Sequence, residues 1–556
     1  MNLEKLTEYS DTEFNYKVIY WALLLFCMIV YILTLNSREL VAGDETRVAG
    51  ISTQIAENGN WLKPELNGKD FLEKPPLFFW KSALSIKLFG RTPFAARFPA
   101  AVMAVFGVLG LFWFLKKLNF SLIAAFSSAI ILGTSAQFWE YGHKCMIDMM
   151  LAVFIEFAVL AFAVLTTANT KKDKIIFFLI FTLALSGAIF SKGLVGLAIP
   201  AVGIASYLFI SQFILKKGEK WNMWGYFISG ALLAFIPVSV WIVFLYNQAG
   251  YDAVYTIVWT NNFGRFTGSH PEHVEPFYYY IKKFFVQLAP WTFLLPLAFV
   301  YNFLQMKKNK SQISLYFLCS AVIPYILLSI SAGKRQVYLL PLYAFQAVLI
   351  GNMLGALPQY IAESQYKDKL LAVLKTLAYL LTFLFAVTAI VSIIFGYLHG
   401  IRFWLLIPII LFLAAVLTLG LDLKGYRIHA LALMLISLAF LFASIDCIFI
   451  ATAKKKYSYS KLFDYIKSLE NNNKITIHLL NAHEKMRGAV VYYLAHTVNE
   501  INDKELQKIN QHKSKNHIFI FDTGKYKKLP EKFKNMHVVN AFKIGRRYTL
   551  ILEKTN

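Results

Sequence analysis

The sequence predicts a polytopic α-helical membrane protein that carries a small α/β domain at its C-terminal end. Of its 556 residues, 57% are hydrophobic, and the mean hydropathy is +0.52. Apolar runs of about 20 residues recur along the chain, and such a run is what an α-helix needs to cross a hydrocarbon core about 30 Å thick. Soluble domains rarely carry repeated runs of this length. The chain is therefore expected to lie in a membrane.

Thirteen apolar runs are candidate membrane spans. They lie near residues 18–35, 98–115, 120–139, 146–167, 175–190, 193–212, 222–246, 286–305, 312–331, 336–356, 370–396, 401–420 and 428–452. The fifth and sixth runs are separated only by a short junction at "SKG". These runs predict two domains in the chain, a transmembrane domain at 1–455 and a soluble domain at 456–556.

The short loops predict the orientation of the chain. Lysine-bearing loops follow every second run, at 116–117, 171–174, 216–220, 307–310, 367–369 and 424–427. The positive-inside rule places these loops in the cytoplasm. The N-terminus is then cytoplasmic, and its residues lack the basic segment and cleavage site of a signal peptide. Residues 36–97, 247–285 and the chain after 453 are expected on the extracytoplasmic side of a bacterial inner membrane.

Charge and cysteine content exclude two classes of protein. The net charge is +24, but the lysines cluster in the short loops, which is typical of segments that face anionic membrane lipids rather than nucleic acid. The four cysteines are Cys27, Cys145, Cys319 and Cys447. They show no paired spacing, so neither a disulfide framework nor a zinc cluster is expected.

The first extracytoplasmic loop, 36–97, is predicted to contain two helices. "ETRVAGISTQIAENG" has apolar residues on one side and ends at a glycine, and "PPLFFWKSALSIKLFG" starts with proline and also ends at a glycine. The aromatic side chains of Phe78, Phe79 and Trp80 are expected to place the second helix in the membrane interface.

The composition changes after about residue 460. "ITIHLL", "HIFIFD" and "YTLILE" are typical of strands, and "EKMRGAVVYYLAH" and "KELQKIN" are typical of helices. Strands alternating with helices predict a small α/β domain. It contains no glycine-rich phosphate loop, so it is interpreted as an accessory domain without chemistry of its own.

Polar residues at the extracytoplasmic ends of the spans are the candidates for function. Charged groups beside a membrane are costly, so they require an aqueous pocket, a partner or a function. The set comprises Asp44, Glu45, Glu73, Lys74, His143, Lys144, Asp148, Lys192, Arg265, His270, Glu272, His273, Glu275, Lys334, Arg335 and Tyr338. Carboxylates act as bases or metal ligands, and lysine and arginine hold phosphate. This combination suits transfer from a lipid phosphate donor, because a phosphate leaving group needs charge neutralisation rather than protonation.

Ordered motifs extend over roughly residues 15–350. They are "GDETR", "NWLKPELNGKDFLEKPPLFFW", "GRTPFAARFPAAV", "DMMLAVF", "SKGLVGLAIP", "RFTGSHPEHVEPFYYY", "APW" and "SAGKRQVYLLPLY". On these motifs the chain resembles the GT-C membrane glycosyltransferases, which include the 4-amino-4-deoxy-L-arabinose transferases that act on lipid A and the protein O-mannosyltransferases. The later spans and the tail are similar to the lipid A branch in general layout, including thirteen spans and an outer α/β domain.

The resemblance implies a GT-C fold and a polyprenyl-phosphate sugar donor used on the extracytoplasmic face. Asp44 would be the catalytic base or would orient the acceptor. Glu45, the second acid of the pair, would either share in catalysis or face away and hold the loop. Asp148 would line the same cavity. A purely structural reading remains open for both aspartates, as acids that stabilise a helix N-terminus.

The resemblance also implies a site for the donor phosphate and a divalent metal ion, zinc, magnesium or manganese. Lys74, Arg265 and Tyr338 match residues near the phosphate, with Lys334, Arg335 and Lys192 as helpers. Glu73 matches a metal ligand. The chain departs from the pattern at Asn262, where some lipid A enzymes have histidine, and His273 is the candidate that supplies an imidazole instead.

Three functions follow in order of preference. The first is transfer of an aminosugar or hexose from undecaprenyl phosphate to lipid A, and the second is transfer to a protein Ser or Thr hydroxyl. The third is a transporter or flippase for a lipid-linked sugar, which predicts ionisable residues in mid-span and repeated halves. The acids lie mainly at span ends and no repeat is evident, which favours an enzyme.

Overall fold

The computed structural model describes most of the chain. The described residues are 13–216, 221–264, 274–363, 427–450, 455–472, 475–502, 517–524 and 536–554, with Glu505 and scattered positions between 383 and 398. Among them, eight helices are long and apolar enough to cross a membrane, or nine if one bent pair is a single span. The predicted class, a polytopic helical membrane protein with a small C-terminal domain, is confirmed. The count of thirteen stays a prediction, because runs 370–396 and 401–420 fall almost entirely outside the described residues.

The helices of the membrane part are labelled in chain order. They are α1 (Glu13–Cys27), α2 (Asp44–Asn58), α3 (Leu77–Phe89), α4 (Pro93–Lys117), α5 (Leu122–Thr134), α6 (Ala136–Gly142), α7 (Ile147–Thr167), α8 (Lys171–Lys192), α9 (Leu194–Phe209), α10 (Trp221–Ala234), α11 (Ile236–Tyr255), α12 (Tyr279–Gln287), α13 (Leu295–Lys308), α14 (Gln312–Ile330), α15 (Tyr343–Glu363) and α16 (Arg427–Ser444). Short π-helical segments follow four of them, at Met28–Leu33, Ile210–Ile214, Thr256–Gly264 and Ile445–Ile450. The 3₁₀ segments are Trp291–Leu294, Gln336–Leu342 and Lys455–Tyr457.

The run predicted as one span at 120–139 is a broken helix. Helices α5 and α6 meet at an angle of 63°. Ser135 between them has extended backbone angles, with φ −69° and ψ 133°, and its hydroxyl donates to the carbonyl of Leu132 at 2.8 Å. No proline, a common cause of sharp kinks, marks this position. The predicted span is therefore formed by a bent pair of helices rather than by one continuous helix.

The second large loop is partly helical. Residues Trp221–Asn261 form a helical stretch of 41 residues that bends at Gly250, where φ is 78°. The predicted loop 247–285 therefore starts inside a helix. The following run, predicted at 286–305, contains only the 14-residue helix α13 after the 3₁₀ turn Trp291–Leu294.

The first loop contains the two predicted helices. Helix α2 ends at Gly59 and α3 ends at Gly90, and both glycines have positive φ, at 72° and 77°. The position of α3 in the membrane interface stays a prediction, but two of its three aromatic residues do not face outward. Phe78 and Phe79 are buried in the protein, and the exposed apolar residues of α3 are instead near its end, at Leu84, Leu88 and Phe89. The aromatic face is covered because α3 packs against α2 and α4.

The C-terminal domain contains helices α17 (Ser460–Asn472) and α18 (Glu484–Leu494). Its strands are β3 (Thr476–Leu480), β4 (Asn499–Ile501), β5 (His517–Gly524), β6 (Met536–Ile544) and β7 (Arg547–Lys554), and a short hairpin in the first loop provides β1 (Glu65–Leu66) and β2 (Lys69–Asp70). The sheet order is β4-β3-β5-β7-β6, with β3 parallel to β4 and β5, and β7 antiparallel to β5 and β6.

The sequence predicted three of these five strands and helix α18. Strand β4 has only three residues, and β6 contains an irregularity in register between Val538 and Asn540, so neither shows a regular alternation of apolar residues. Helix α17 was also missed. The predicted helix "KELQKIN" lies outside the described residues apart from Glu505.

Candidate active site

Asp44 is the first residue of helix α2, and both of its carboxylate oxygens are bound. Arg335 donates from Nη2 to Oδ2 at 2.8 Å, and Arg47 approaches Oδ1 with its Nη2 at 3.2 Å. Gly43, with φ 137°, provides the backbone conformation that starts the helix at this point. A carboxylate is favoured here by the helix dipole as well as by the two guanidinium groups.

The electrostatic environment keeps Asp44 ionised. Burial acts to raise the pKa of this carboxyl, but Arg47 and Arg335 outweigh it and hold the pKa below its ordinary value. The side chain is nevertheless 26% exposed, so an acceptor can reach it. Asp44 is thus a charged, accessible carboxylate held in place by two cations.

Glu45, the neighbour of Asp44, points into the protein instead. Its Oε1 accepts from Nε of Arg97 at 2.6 Å, and its Oε2 accepts from the backbone of Val41 at 2.8 Å. Arg38 lies 3.3 Å from the same Oε2. Burial acts to raise the pKa of Glu45, but the two arginines lower it to about 2. Of the two readings made from the sequence, this geometry supports the one in which Glu45 holds the loop.

Arg97 is the residue that organises this part of the first loop, and sequence reasoning missed it. Its side chain is 1% exposed. Besides Glu45, its guanidinium donates to the carbonyls of Leu35, Arg38 and Glu39 at 2.8 to 3.0 Å. The signal was an arginine inside the otherwise apolar stretch "FAARFPAAV", where a buried charge requires a partner.

Asp148, Lys192 and Tyr338 come together from three separate elements. Lys192, the last residue of α8, donates to Oδ1 of Asp148 at 2.5 Å, and its ammonium lies 4.6 Å from the centre of the Tyr338 ring. Asp148 is in the first turn of α7, and Tyr338 lies in the 3₁₀ segment Gln336–Leu342. Lys192 is therefore held between a carboxylate and an aromatic ring, and its role at the donor phosphate stays a prediction.

Arg335 connects this second group with Asp44. Burial acts to lower the pKa of Arg335, but the contact with Asp44, and next the charge of Asp148, raise it above its ordinary value. Both predicted aspartates therefore act on the same guanidinium. Side chains from the ends of several spans thus lie close together, whereas their roles in a reaction stay predictions.

Glu73 and Lys74 lie half-buried in the turn before α3. The charge of Glu73 reaches Arg47, whose pKa is raised against the effect of burial by Asp44, Glu484 and Glu73. The turn is tied to the later chain, because Asn261 donates from Nδ2 to the carbonyl of Leu72 at 3.0 Å. Glu73, the predicted metal ligand, therefore acts on the same guanidinium group as Asp44.

Lys334 is buried and bound to backbone. Its ammonium donates to the carbonyl of Glu275 at 2.7 Å and to that of Ser331 at 2.5 Å. A β-bridge between Val274 and Gly333 fixes the same loop. These contacts support a role for Lys334 in holding the loop that carries Arg335, rather than in binding the phosphate directly.

Two other polar residues of the predicted set have structural partners. His143 is buried between the carbonyls of Val30 and Trp139, and Lys144 pairs with Glu140 at 2.6 Å. Four further members of the set lie outside the described residues, namely Arg265, His270, Glu272 and His273.

The predicted metal site is not formed by the residues that the structure describes. Among them, no group of three or more His, Cys, Asp or Glu side chains has an arrangement that could hold a metal ion. Glu73 contributes a single carboxylate, and the second predicted ligand, His273, is outside the described part of the chain. The divalent metal stays a prediction from the resemblance.

A family model matches residues 73–242, and its description is dolichyl-phosphate-mannose-protein mannosyltransferase. The match includes Glu73, Lys74, Asp148 and Lys192. Among curated proteins, the chain is 29% identical over 330 residues to a protein of Aeromonas hydrophila subsp. hydrophila named undecaprenyl phosphate-alpha-4-amino-4-deoxy-L-arabinose arabinosyl transferase. It is 30% identical over 332 residues to a protein of Proteus mirabilis with the same name and the number 2. Each alignment covers 59% of this chain, and the chain spans only 59% and 58% of these relatives.

The fold matches a solved structure over nearly its whole length. The crystal structure of ArnT from Cupriavidus metallidurans bound to undecaprenyl phosphate aligns with a TM-score of 0.71, covering 97% of this chain and 98% of that one, at 16% identity. Its apo state aligns with a TM-score of 0.69. The chain therefore has the same fold as this structure. The fold likeness includes the C-terminal domain and helices α14 and α15, which the local family match does not reach.

Proposed function

We propose that this chain is a bacterial inner-membrane glycosyltransferase that moves a sugar from undecaprenyl phosphate to lipid A on the extracytoplasmic side. The observation that carries the proposal is the shared site in which Arg335 binds Asp44 and lies in the field of Asp148, next to Lys192 and Tyr338. The names of the curated relatives and the undecaprenyl phosphate bound in the related crystal structure support this donor.

In the proposed reaction, the bond between the sugar carbon and the donor phosphate oxygen breaks. Undecaprenyl phosphate leaves with the bonding electron pair, and nearby cations stabilise the charge that develops on it. Lys74, Lys192 and Arg265 are assigned to this role, with the Tyr338 hydroxyl as a further donor. An acceptor oxygen forms the new bond to the sugar carbon, and Asp44 orients it and takes its proton when the oxygen carries one.

A protein acceptor is the second candidate. It is favoured by the family model, whose description names a protein mannosyltransferase. The two acceptors differ in what must enter the site, since lipid A approaches from the membrane and a polypeptide approaches from the periplasm. Donor chemistry and the assigned roles of Asp44 and the cations are the same in both cases.

Transport of a lipid-linked sugar is the rival from another class. Glu156, an acid that sequence reasoning passed over, is fully buried within α7, and its Oε1 has no hydrogen-bond partner. A mid-span acid is a feature of transporters. The charged site at the span ends nevertheless favours an enzyme, because transfer needs a carboxylate beside phosphate-binding cations.

The decisive experiment is transfer by the purified protein in detergent. Undecaprenyl phosphate carrying the aminosugar is mixed with lipid A, and mass spectrometry measures the added sugar. We expect transfer by the wild-type protein and a loss of about 100-fold or more in Asp44→Asn, because general base catalysis contributes at least this much. Full turnover by Asp44→Asn would remove its assigned role. Lipid A profiling of a deletion strain, beside a periplasmic glycoprotein blot, separates the two acceptors.

A further inference from the structure

The C-terminal domain packs directly on the helix that starts with Asp44. Helix α18 crosses α2 with backbone against backbone, at Gly488 and Gly50. A Cβ atom added to Gly488 would lie 2.5 Å from the Cα of Arg47 and 2.6 Å from the carbonyl oxygen of Thr46. Only glycine permits this approach, so the two helices hold each other at a fixed separation.

Polar contacts extend this interface to both sides. Asn67 exchanges two hydrogen bonds with the backbone of Val498, each at 2.8 Å, and Ala42 donates its backbone N–H to Tyr457 at 2.8 Å. The first loop and the C-terminal domain are thus joined before α2, along it and beyond it. These contacts restrain the orientation of α2 in addition to stabilising it.

A row of alternating charges runs from the C-terminal domain into the active site. Glu484 Oε2 accepts from Arg47 Nη1 at 2.7 Å, Arg47 Nη2 lies 3.2 Å from Asp44 Oδ1, and Asp44 Oδ2 accepts from Arg335. Arginine has a planar fork with donors on both sides, so anchoring one side restricts where the other side points. Lys485, next to Glu484, adds a positive charge that also acts on Asp44.

We propose that the C-terminal domain is a component of the active site, in which Glu484 is a positioning residue that orients Arg47 and thereby Asp44. This inference rests on the proposed function. It assigns a role in catalysis to a domain that the sequence presents as an accessory. Arg47 has two other neighbours, the charge of Glu73 and the ring of Phe71 at 5.7 Å, so without Glu484 it has competing orientations.

The test compares Glu484→Gln with the wild-type protein in the transfer assay. We expect kcat to fall about tenfold while KM for the donor changes less than about twofold, because a small misplacement of a catalytic group costs one to two orders of magnitude in rate. Glu484→Asp, which keeps the charge, should recover part of the loss.

Lys69→Ala is the matched control. It removes the ion pair between Lys69 and Glu500, of 2.6 Å, at the same domain interface but away from Asp44. We expect wild-type kcat in this variant. Thermal melting and binding of undecaprenyl phosphate establish that both variants are folded.

The outcomes separate the two proposals. Absence of transfer by the wild-type protein overturns the proposed function. If the wild-type protein transfers the sugar, two results overturn the positioning role of Glu484. One is a wild-type kcat in Glu484→Gln, and the other is an equal loss of kcat in Glu484→Gln and Lys69→Ala. If Glu484→Gln does not fold, Glu484→Asp is measured in its place, and an unchanged kcat in the folded variant again overturns the positioning role.

Discussion

Arg335 and Asp44 are 291 residues apart in the chain, and they form a hydrogen-bonded ion pair of 2.8 Å. This contact joins the loop that follows α14 to the first residue of α2. It brings a cation from the late spans to the carboxylate of the first loop, so residues from both ends of the membrane part contribute to one site. The predictions below test this arrangement.

Removing Arg335 is expected to change the pH dependence of the reaction. Arg335 lowers the pKa of Asp44, so Arg335→Ala should raise this pKa. Ionised Asp44 is then lost at a higher pH, and the acid limb of kcat/KM should move upward. A pH–rate profile measures this shift. Arg547→Ala, which breaks only the surface pair with Asp522, serves as the control. An unmoved acid limb in folded Arg335→Ala would contradict the coupling.

Glu45→Gln is expected to damage the fold rather than the chemistry alone. It leaves the guanidinium of Arg97, 1% exposed, without its charged partner. Breaking a buried ion pair in this way costs about 3 to 5 kcal/mol. Thermal unfolding in detergent should show a clearly lower melting temperature, whereas Asp44→Asn should melt near the wild-type value. A wild-type melting temperature in Glu45→Gln would mean that the Arg97 network does not hold the loop.

Lys74→Ala and Arg265→Ala are expected to weaken binding of undecaprenyl phosphate. A hydrogen bond to a charged group contributes about 1.5 to 3 kcal/mol, so each loss corresponds to roughly a tenfold or greater increase in Kd. A direct binding assay with undecaprenyl phosphate measures it. Lys87→Ala, an exposed lysine over the ring of Trp61 in the same loop, should bind normally. Equal Kd values in all variants would remove both residues from the phosphate site.

The orientation of the chain can be tested by cysteine labelling. All four native cysteines are buried, so we expect them to react little with the maleimide. Asn58→Cys, in the exposed end of α2, should react with an impermeant maleimide in intact spheroplasts. Lys171→Cys, in a lysine-bearing loop, should react only after lysis. The reverse pattern would invert the proposed topology and place the site in the cytoplasm.

The sequence by itself determined the features that depend on neighbouring residues. Hydrophobic length identified the described spans, and Gly59 and Gly90 correctly marked the ends of α2 and α3, because a glycine with positive φ terminates a helix through local geometry. The motifs around Asp44, Glu73 and Asp148 predicted a site by resemblance. These signals are local, so they can be read along the chain.

The tertiary structure decided which charges meet. Glu45 and Asp44 are adjacent and identical in charge, but the first binds Arg97 and the second binds Arg335. Arg47 and Glu484 are 437 residues apart, and no local pattern connects them. Charge pairs depend on how helices pack, and packing is set by complementary surfaces such as Gly50 against Gly488. For this reason the sequence predicted candidate residues such as Asp44, whereas their partners, Arg47 and Glu484 among them, came from the fold.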